Sequence, residues 1–246
     1  MPQRLPWLAP HQPFPHPSRA LGQGTDYPGL LALGGVLDAT TLRMAYAQGI
    51  FPWYSDDQPI LWWSTHPRMV LQPQQFKLHK SLRKTLQAFR HDATCEIRTN
   101  TCFETVMRHC AQTLRAGQHG TWITEDIVQA YCELHAQGQA YSVETWINQQ
   151  LVGGLYGVAL GHAVFGESMF AHSSNASKIA LAALVCLCRA QQVPQIDCQQ
   201  ETPHLASLGA APIDREDFLQ VVQQQTRRPA MQWQWHDALW QQLLPT

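Results

Sequence analysis

The chain has 246 residues, 14% of them charged, with a formal net charge of -1. That length carries a full hydrophobic core in one large domain or two smaller ones, and the balance of charge excludes a global attraction to polyanions. Any nucleic-acid contact must therefore be a local patch. The cysteine count is seven, an odd number with no C-x-x-C pair, which points to reduced, mostly buried thiols in a cytosolic protein. The proline-broken start, Met1-Pro-Gln-Arg-Leu-Pro-Trp7, lacks the apolar run of a signal peptide. No window reaches the roughly 18 apolar residues of a membrane span, so a soluble, cytoplasmic chain is expected.

Residues 1–28 are proline-rich and aperiodic and read as an irregular lead-in. Gly29 to Gly35 is an apolar run, after which Asp38 caps a short helix over Ala39–Gln48 that Gly49 terminates. Three aromatic-rich pieces follow: a turn at Gly49–Tyr54, a strand at Pro59–Ser64 and a strand at Pro67–Leu71. Their density of rings exceeds what a small core requires, and Trp53, on a loop after a proline, is the ring most suited to line a site.

Leu78, Leu82, Leu86 and Phe89 recur at helical spacing, while Lys80, Arg83, Lys84 and Arg90 occupy the other face. Three of the four lysines lie between positions 77 and 84. This is either a solvated helix face or a patch that contacts phosphates. Beyond a short strand, Thr94–Arg98, a helix is predicted over Phe103–Leu114 with Thr101-x-x-Glu104 as a capping box, closed by Gly117 and Gly120. Thr124 caps the next helix, Glu125–Ala136, and Gly138 ends it.

Alternation then predicts three antiparallel strands at 140–147, 151–159 and 162–168, joined by hairpin-length connections. Asn175 caps a long apolar helix, Ser177–Ala190, followed by a strand at Gln195–Gln199, one or two helical turns at His204–Gly209, and a last helix opened by Asp214 and running to about Gln225. Helix, helix, meander, helix, strand, helix is an order that matches the mixed α+β core of N-acetyltransferase-type acyltransferases better than a doubly wound sheet.

Motifs for nucleophilic or metal chemistry are missing: there is no G-x-S-x-G, no H-E-x-x-H and no Cys/His pair at zinc spacing. His135, His162, His172 and His204 are scattered. What stands out is a set of polar residues in apolar strands: Glu144, Glu167, Ser168, Asp197 and Gln199. Burying an ionised carboxylate costs several kcal/mol, roughly, unless it is paired, so Glu167 needs an internal partner or a cation that arrives with a substrate. Asp197 and Gln199 are two apart on a strand and are expected to share a face.

Phe51-Pro-Trp53, Trp62-Trp63-Ser64, Gly120-Thr-Trp-Ile-Thr124, Leu151-Val-Gly-Gly-Leu-Tyr-Gly157, Gly166-Glu-Ser-Met-Phe170, Asn175-Ala-Ser-Lys178, Ile196-Asp-Cys-Gln199 and Ser207-Leu-Gly209 together resemble the motif series of the bacterial leucyl/phenylalanyl-tRNA:protein transferases. The resemblance runs in order from about Gly29 to Leu219. It implies an enzyme that moves leucine or phenylalanine, with methionine a further candidate, from its tRNA ester to the α-amino group of a protein beginning with Arg or Lys, marking that protein for degradation. The partners implied are Leu-tRNA, Phe-tRNA and the acceptor protein, with no metal, no cofactor and no membrane.

The same resemblance implies a small N-terminal α+β domain over 1–73 and an N-acetyltransferase-like (GNAT-type) domain over 74–246, with a mixed, mainly antiparallel sheet flanked by helices. Asp197, Gln199 and Glu167 then form the catalytic group, Trp53 and Trp122 hold the 3′ end of the tRNA, and Leu155, Val164, Phe165 and Leu184 line the aminoacyl side-chain pocket. Lys80, Arg83 and Lys84 fall where the family places cations on the tRNA backbone. Pro28 and Val36 stand in place of a common Asn and Asp, Thr65-His66 in place of a Pro-Asp pair, and Tyr141 in place of a usual His. A coenzyme A-dependent acetyltransferase of the same fold would need a Gln/Arg-x-x-Gly-x-Gly/Ala loop before the long helix, and none is present. A tRNA-binding protein without catalysis is the remaining alternative.

Overall fold

A computed structural model describes residues 5–113 and 121–244. The lead-in is not wholly irregular: β1 (Trp7–Leu8) pairs in parallel with β2 (Leu30–Gly34), and Pro17–Arg19 make a 3-10 turn. Asp38 accepts from the Thr41 N–H and opens α1 (Ala39–Tyr46), which is two residues shorter than the periodicity suggests. Phe51–Pro52 is a short strand, β3, rather than a turn, because it pairs with β4 (Leu61–Trp63). These pieces form a four-stranded sheet of order β1-β2-β4-β3.

The next strand, β5 (Arg68–Leu71), leaves that sheet and enters a larger one. Then come α2 (Lys80–His91), β6 (Cys95–Thr99), α3 (Phe103–Gln112), α4 (Glu125–Ala136), β7 (Ala140–Ile147), β8 (Gln150–Leu160), β9 (Ala163–Ala171), α5 (Ala176–Ala190), β10 (Ile196–Gln199), α6 (Pro203–Ser207), β11 (Ala211–Ile213) and α7 (Arg215–Gln225). The larger sheet has the order β11-β5-β10-β9-β8-β7-β6, antiparallel except for β9 and β10. The expected meander is β7-β8-β9, and its first turn uses Asn148 and Gln149 at φ of 51° and 62°, as a two-residue hairpin loop requires. Strand β11 had no sequence signal: it is three residues long and carries Pro212, tolerable only because it is an edge.

The capping box at Thr101 is not formed. The Thr101 N–H, the Thr101 hydroxyl and the Cys102 N–H all donate to Glu144, whose carboxylate on β7 does the capping of α3 across space. Burial pushes the Glu144 pKa up, but hydrogen bonds from Thr101, Ser142, the Cys102 backbone and Trp146 outweigh it and leave it lowered. Likewise Asn175 occupies the N-cap position of α5 in a left-handed conformation (φ 64°) without a side-chain cap bond. Gly117 and Gly120, expected to close α3, lie outside the described residues.

Two cores cover the two faces of the seven-stranded sheet. One gathers α1, α3, α4 and the four-stranded sheet around Tyr46, Trp62, Tyr131, Tyr156 and Phe165. The other centres on α5, which is apolar nearly all round and therefore buried. Its small residues let it approach the sheet closely: a Cβ added at Gly153 would lie 2.4 Å from Ala176 Cβ.

Candidate active site

Strands β9 and β10 pair only at Ile196 with Val164 and Asp197 with Phe165. Beyond that point they part. β10 is pulled from its register with β5 between Asp197 and Gln199, and Gln199 sits at φ 54°, a conformation costly for a residue with a side chain. The opening between the strands leads into a cavity of ≈ 480 Å³, lined on one side by Gly166, Glu167, Ser168 and Met169 and on the other by Cys198 and Gln199. Leu155, Leu181 and Leu184 line its apolar part, and Trp53 and Trp122 belong to its wall. Chemically this is an apolar slot with a polar ledge and aromatic planes.

The ledge is the pair Glu167 and Gln199. Gln199 Nε2 donates to Glu167 Oε1 at 3.0 Å. Behind Glu167, Tyr46 and Tyr131 bring their hydroxyls together at 2.5 Å. Desolvation raises the Glu167 pKa to about 7; hydrogen bonds from both tyrosines and the charge of Arg68 act against it, while the charge of Asp197 adds to it. The two phenols are themselves pushed well above the usual tyrosine range, by burial first and by Glu167 next, so they stay protonated donors. Glu167 is half-buried and titrates near neutrality.

Asp197 does not share a face with Gln199, because the bulge breaks the alternation. It is 1% exposed and lies behind the cavity wall, with Arg68 Nε donating to Oδ1 at 2.8 Å and Arg68 Nη2 to Oδ2 at 2.6 Å. Its remaining described bond comes from the Gln199 N–H at 2.9 Å. Arg68 is fully buried between Phe51 and Phe218, 4.8 and 4.6 Å from the ring centroids. Arg68 is not among the residues expected from the sequence, although an arginine in the buried, Met-Val-Leu-bearing strand β5 is the same kind of signal as Glu167. Tyr46 and Tyr131 sit on helices among apolar neighbours and offered no signal.

Of the four residues expected to line the aminoacyl pocket, Leu155 and Leu184 line this cavity. Val164 is packed in the core around α5, and Phe165 turns to the other core, 5.0 Å from the Tyr46 ring. Both residues lie in the segment where β9 and β10 still pair. Met169 and Leu181 take up the lining instead. Lys80, Arg83 and Lys84 are exposed on α2, outside the cavity. The start of α2 is nevertheless tied to α6 through Lys77 N–H to Leu208 O at 2.8 Å and His79 Nε2 to Ser207 O at 2.7 Å, and α6 supplies His204 and Leu205 to the cavity. Among the described residues, no group of three or more His, Cys, Asp or Glu is placed to hold a metal.

Comparison with known proteins identifies the lineage. The family described as leucyl/phenylalanyl-tRNA protein transferase matches residues 70–223, and its N-terminal domain matches residues 35–66. The chain belongs to this family. A leucyl/phenylalanyl-tRNA–protein transferase of Polaromonas sp. is 56% identical over 99% of this chain and 96% of its own length. The protein of the same name in Ralstonia pickettii is 56% identical over 94% and 93%, and that of Cupriavidus metallidurans 58% over 89% and 88%. Among solved structures, a GCN5-related N-acetyltransferase-like protein from Streptococcus suis aligns at 12% identity and TM-score 0.35 over 72% of this chain and 64% of that one. A GCN5-related N-acetyltransferase from Kribbella flavida aligns at 9% and 0.32 over 69% and 59%.

Family membership and the geometry meet at two places. The family match to residues 35–66 ends, and the match to 70–223 begins, around the step between β4 and β5. The larger match also contains both strands of the opened pair.

Proposed function

We propose that this chain transfers a leucyl or phenylalanyl group from aminoacyl-tRNA to the α-amino group of a protein beginning with Arg or Lys, marking it for degradation. Family membership gives the reaction class; the observation that carries the reading is the parted β9–β10 pair, which joins an apolar slot to the Glu167–Gln199 ledge. The leucine or phenylalanine side chain enters among Leu155, Leu181, Leu184 and Met169. Its ester carbonyl then faces the ledge, and the terminal adenosine stacks on Trp53 or Trp122, each such contact being worth about 1–3 kcal/mol. Lys80, Arg83 and Lys84 follow the tRNA backbone beyond α6.

The acceptor nitrogen attacks the ester carbonyl carbon, the carbonyl–ribose oxygen bond breaks, and the amine proton leaves as the ribose hydroxyl gains one. No redox or activation step is required. A peptide α-amine has a pKa of about 7.7–8.0, so much of it is neutral near pH 7 and a strong base is unnecessary. Gln199 accepts from the attacking amine through its Oε1 while its Nε2 stays on Glu167. Glu167 carries the negative charge that pairs with the cationic acceptor. Asp197 contributes by fixing Gln199. Holding amine and ester together supplies up to about 7–11 kcal/mol of the barrier.

The test is transfer of labelled leucine from Leu-tRNA to peptides starting with Arg, Lys or Ala, with Phe-, Met- and Val-tRNA as further donors. The expected result is transfer to the Arg and Lys peptides and a steep but still measurable fall in kcat in Gln199→Ala with the fold retained. Tight tRNA binding without deacylation in the presence of peptide would sink the proposal.

A further inference from the structure

Gln199 is a non-glycine residue at φ 54°, and such a backbone persists only where its surroundings over-determine it. Here both of its peptide groups are held. The Asp197 carboxylate takes its N–H at 2.9 Å, and the Thr65 hydroxyl donates to its carbonyl oxygen at 2.8 Å. Arg68 organises both ends: it grips Asp197 with two nitrogens, and its Nη1 lies 3.5 Å from Thr65 Oγ1. Thr65 and Arg68 lie on the segment leading from β4 into β5, far from Gln199 in sequence. A turn at the edge of the N-terminal sheet thus fixes the backbone of a residue at the cavity.

We propose that Thr65 and Arg68 are positioning residues for transfer, clamping the left-handed backbone of Gln199 so that its carboxamide reaches Glu167 and the attacking amine together. The clamp rests on the reading above, in which Gln199 touches the acceptor. Thr65 is the informative member, because it is only half-buried and its hydroxyl can be removed without leaving a buried charge. Losing the clamp lets Gln199 relax toward ordinary β-geometry and swing its amide away, which lowers turnover more than acceptor affinity.

The experiment measures kcat and KM for an Arg-starting peptide in Thr65→Val, Thr65→Ser, Gln199→Ala and the double variant Thr65→Val/Gln199→Ala. A displacement of about 1 Å at a reacting group can cost 100-fold; a partial release should lower kcat about 10-fold in Thr65→Val with KM little changed, and Thr65→Ser should recover most of it. In the Gln199→Ala background, Thr65→Val should cost nothing further, since a clamp on an absent amide has no effect. Thr65→Val with unchanged kcat overturns the clamp even if Gln199→Ala is inactive. An equal loss in both backgrounds overturns it too, because that is what general destabilisation produces. Full activity in Gln199→Ala overturns instead the reading on which the clamp rests. Arg68→Lys, which keeps the charge but loses the two-pronged grip, should lower kcat in the same Gln199-dependent way.

Discussion

Glu167 is the residue whose chemistry depends most on where it sits. Its pKa is raised by burial to about 7, so the folded state holds a proton that the unfolded chain gives up near pH ~4.3. The unfolded state binds fewer protons between those limits, and stability therefore falls as pH rises from about 4.3 to about 7. Glu167→Gln should remove that slope, a gain of about 1–3 kcal/mol at neutral pH, measurable by urea unfolding across pH 5–8. Activity has the opposite dependence, because only the ionised carboxylate attracts a cationic acceptor. The wild-type kcat/KM for an Arg-starting peptide should rise through pH 7; in Glu167→Gln the limb near 7 should vanish and leave only the rise set by the acceptor amine. An unchanged pH profile would remove Glu167 from acceptor binding. Glu144, in an equally apolar strand, shows that the same sequence signal has another outcome: five donors hold its carboxylate, and it caps α3.

At the scale of elements, α2 separates packing from binding. Leu82, Leu86 and Phe89 are buried, and this face holds the helix; Lys80, Arg83 and Lys84 are exposed and take no part in the described ion pairs. Replacing the three by alanine should leave unfolding within about 0.5 kcal/mol of wild type while weakening tRNA binding and reducing the salt slope by about 1 for each phosphate that is no longer neutralised. Titrations of tRNA at several salt concentrations read this directly, and an unchanged slope would make the face a solvated one. The strand pair β9–β10 is the converse case, an element pair whose failure to pair opens the cavity. Gly157 contributes at the bulge in the neighbouring β8–β9 register, where an added Cβ would sit 2.0 Å from Phe165 O; only glycine lets the two backbones pass there.

For the whole molecule, one core takes residues from the four-stranded sheet, α1, α3, α4 and the larger sheet alike, and the buried Arg68–Asp197 pair ties the segment after β4 to β10. Such sharing predicts a single cooperative unfolding transition, with tryptophan fluorescence and far-UV dichroism coinciding in urea; two separated midpoints would show that the N-terminal part unfolds on its own. Most helices, the meander and the strand carrying Asp197 were legible in the sequence, because local periodicity, caps and turns dictate them. So was the motif series that marks the family. The sequence also singled out Glu167, Asp197 and Gln199, since a polar residue in an apolar strand must be satisfied somewhere. What satisfies each was decided only by the tertiary structure. Arg68 lies 129 residues from Asp197 and Thr65 134 from Gln199, and no local pattern encodes a meeting at that separation. The bulge at Gln199, the parting of β10 from β9 and the turn of Phe165 away from the cavity all follow from such long-range contacts, and with them the shape of the site.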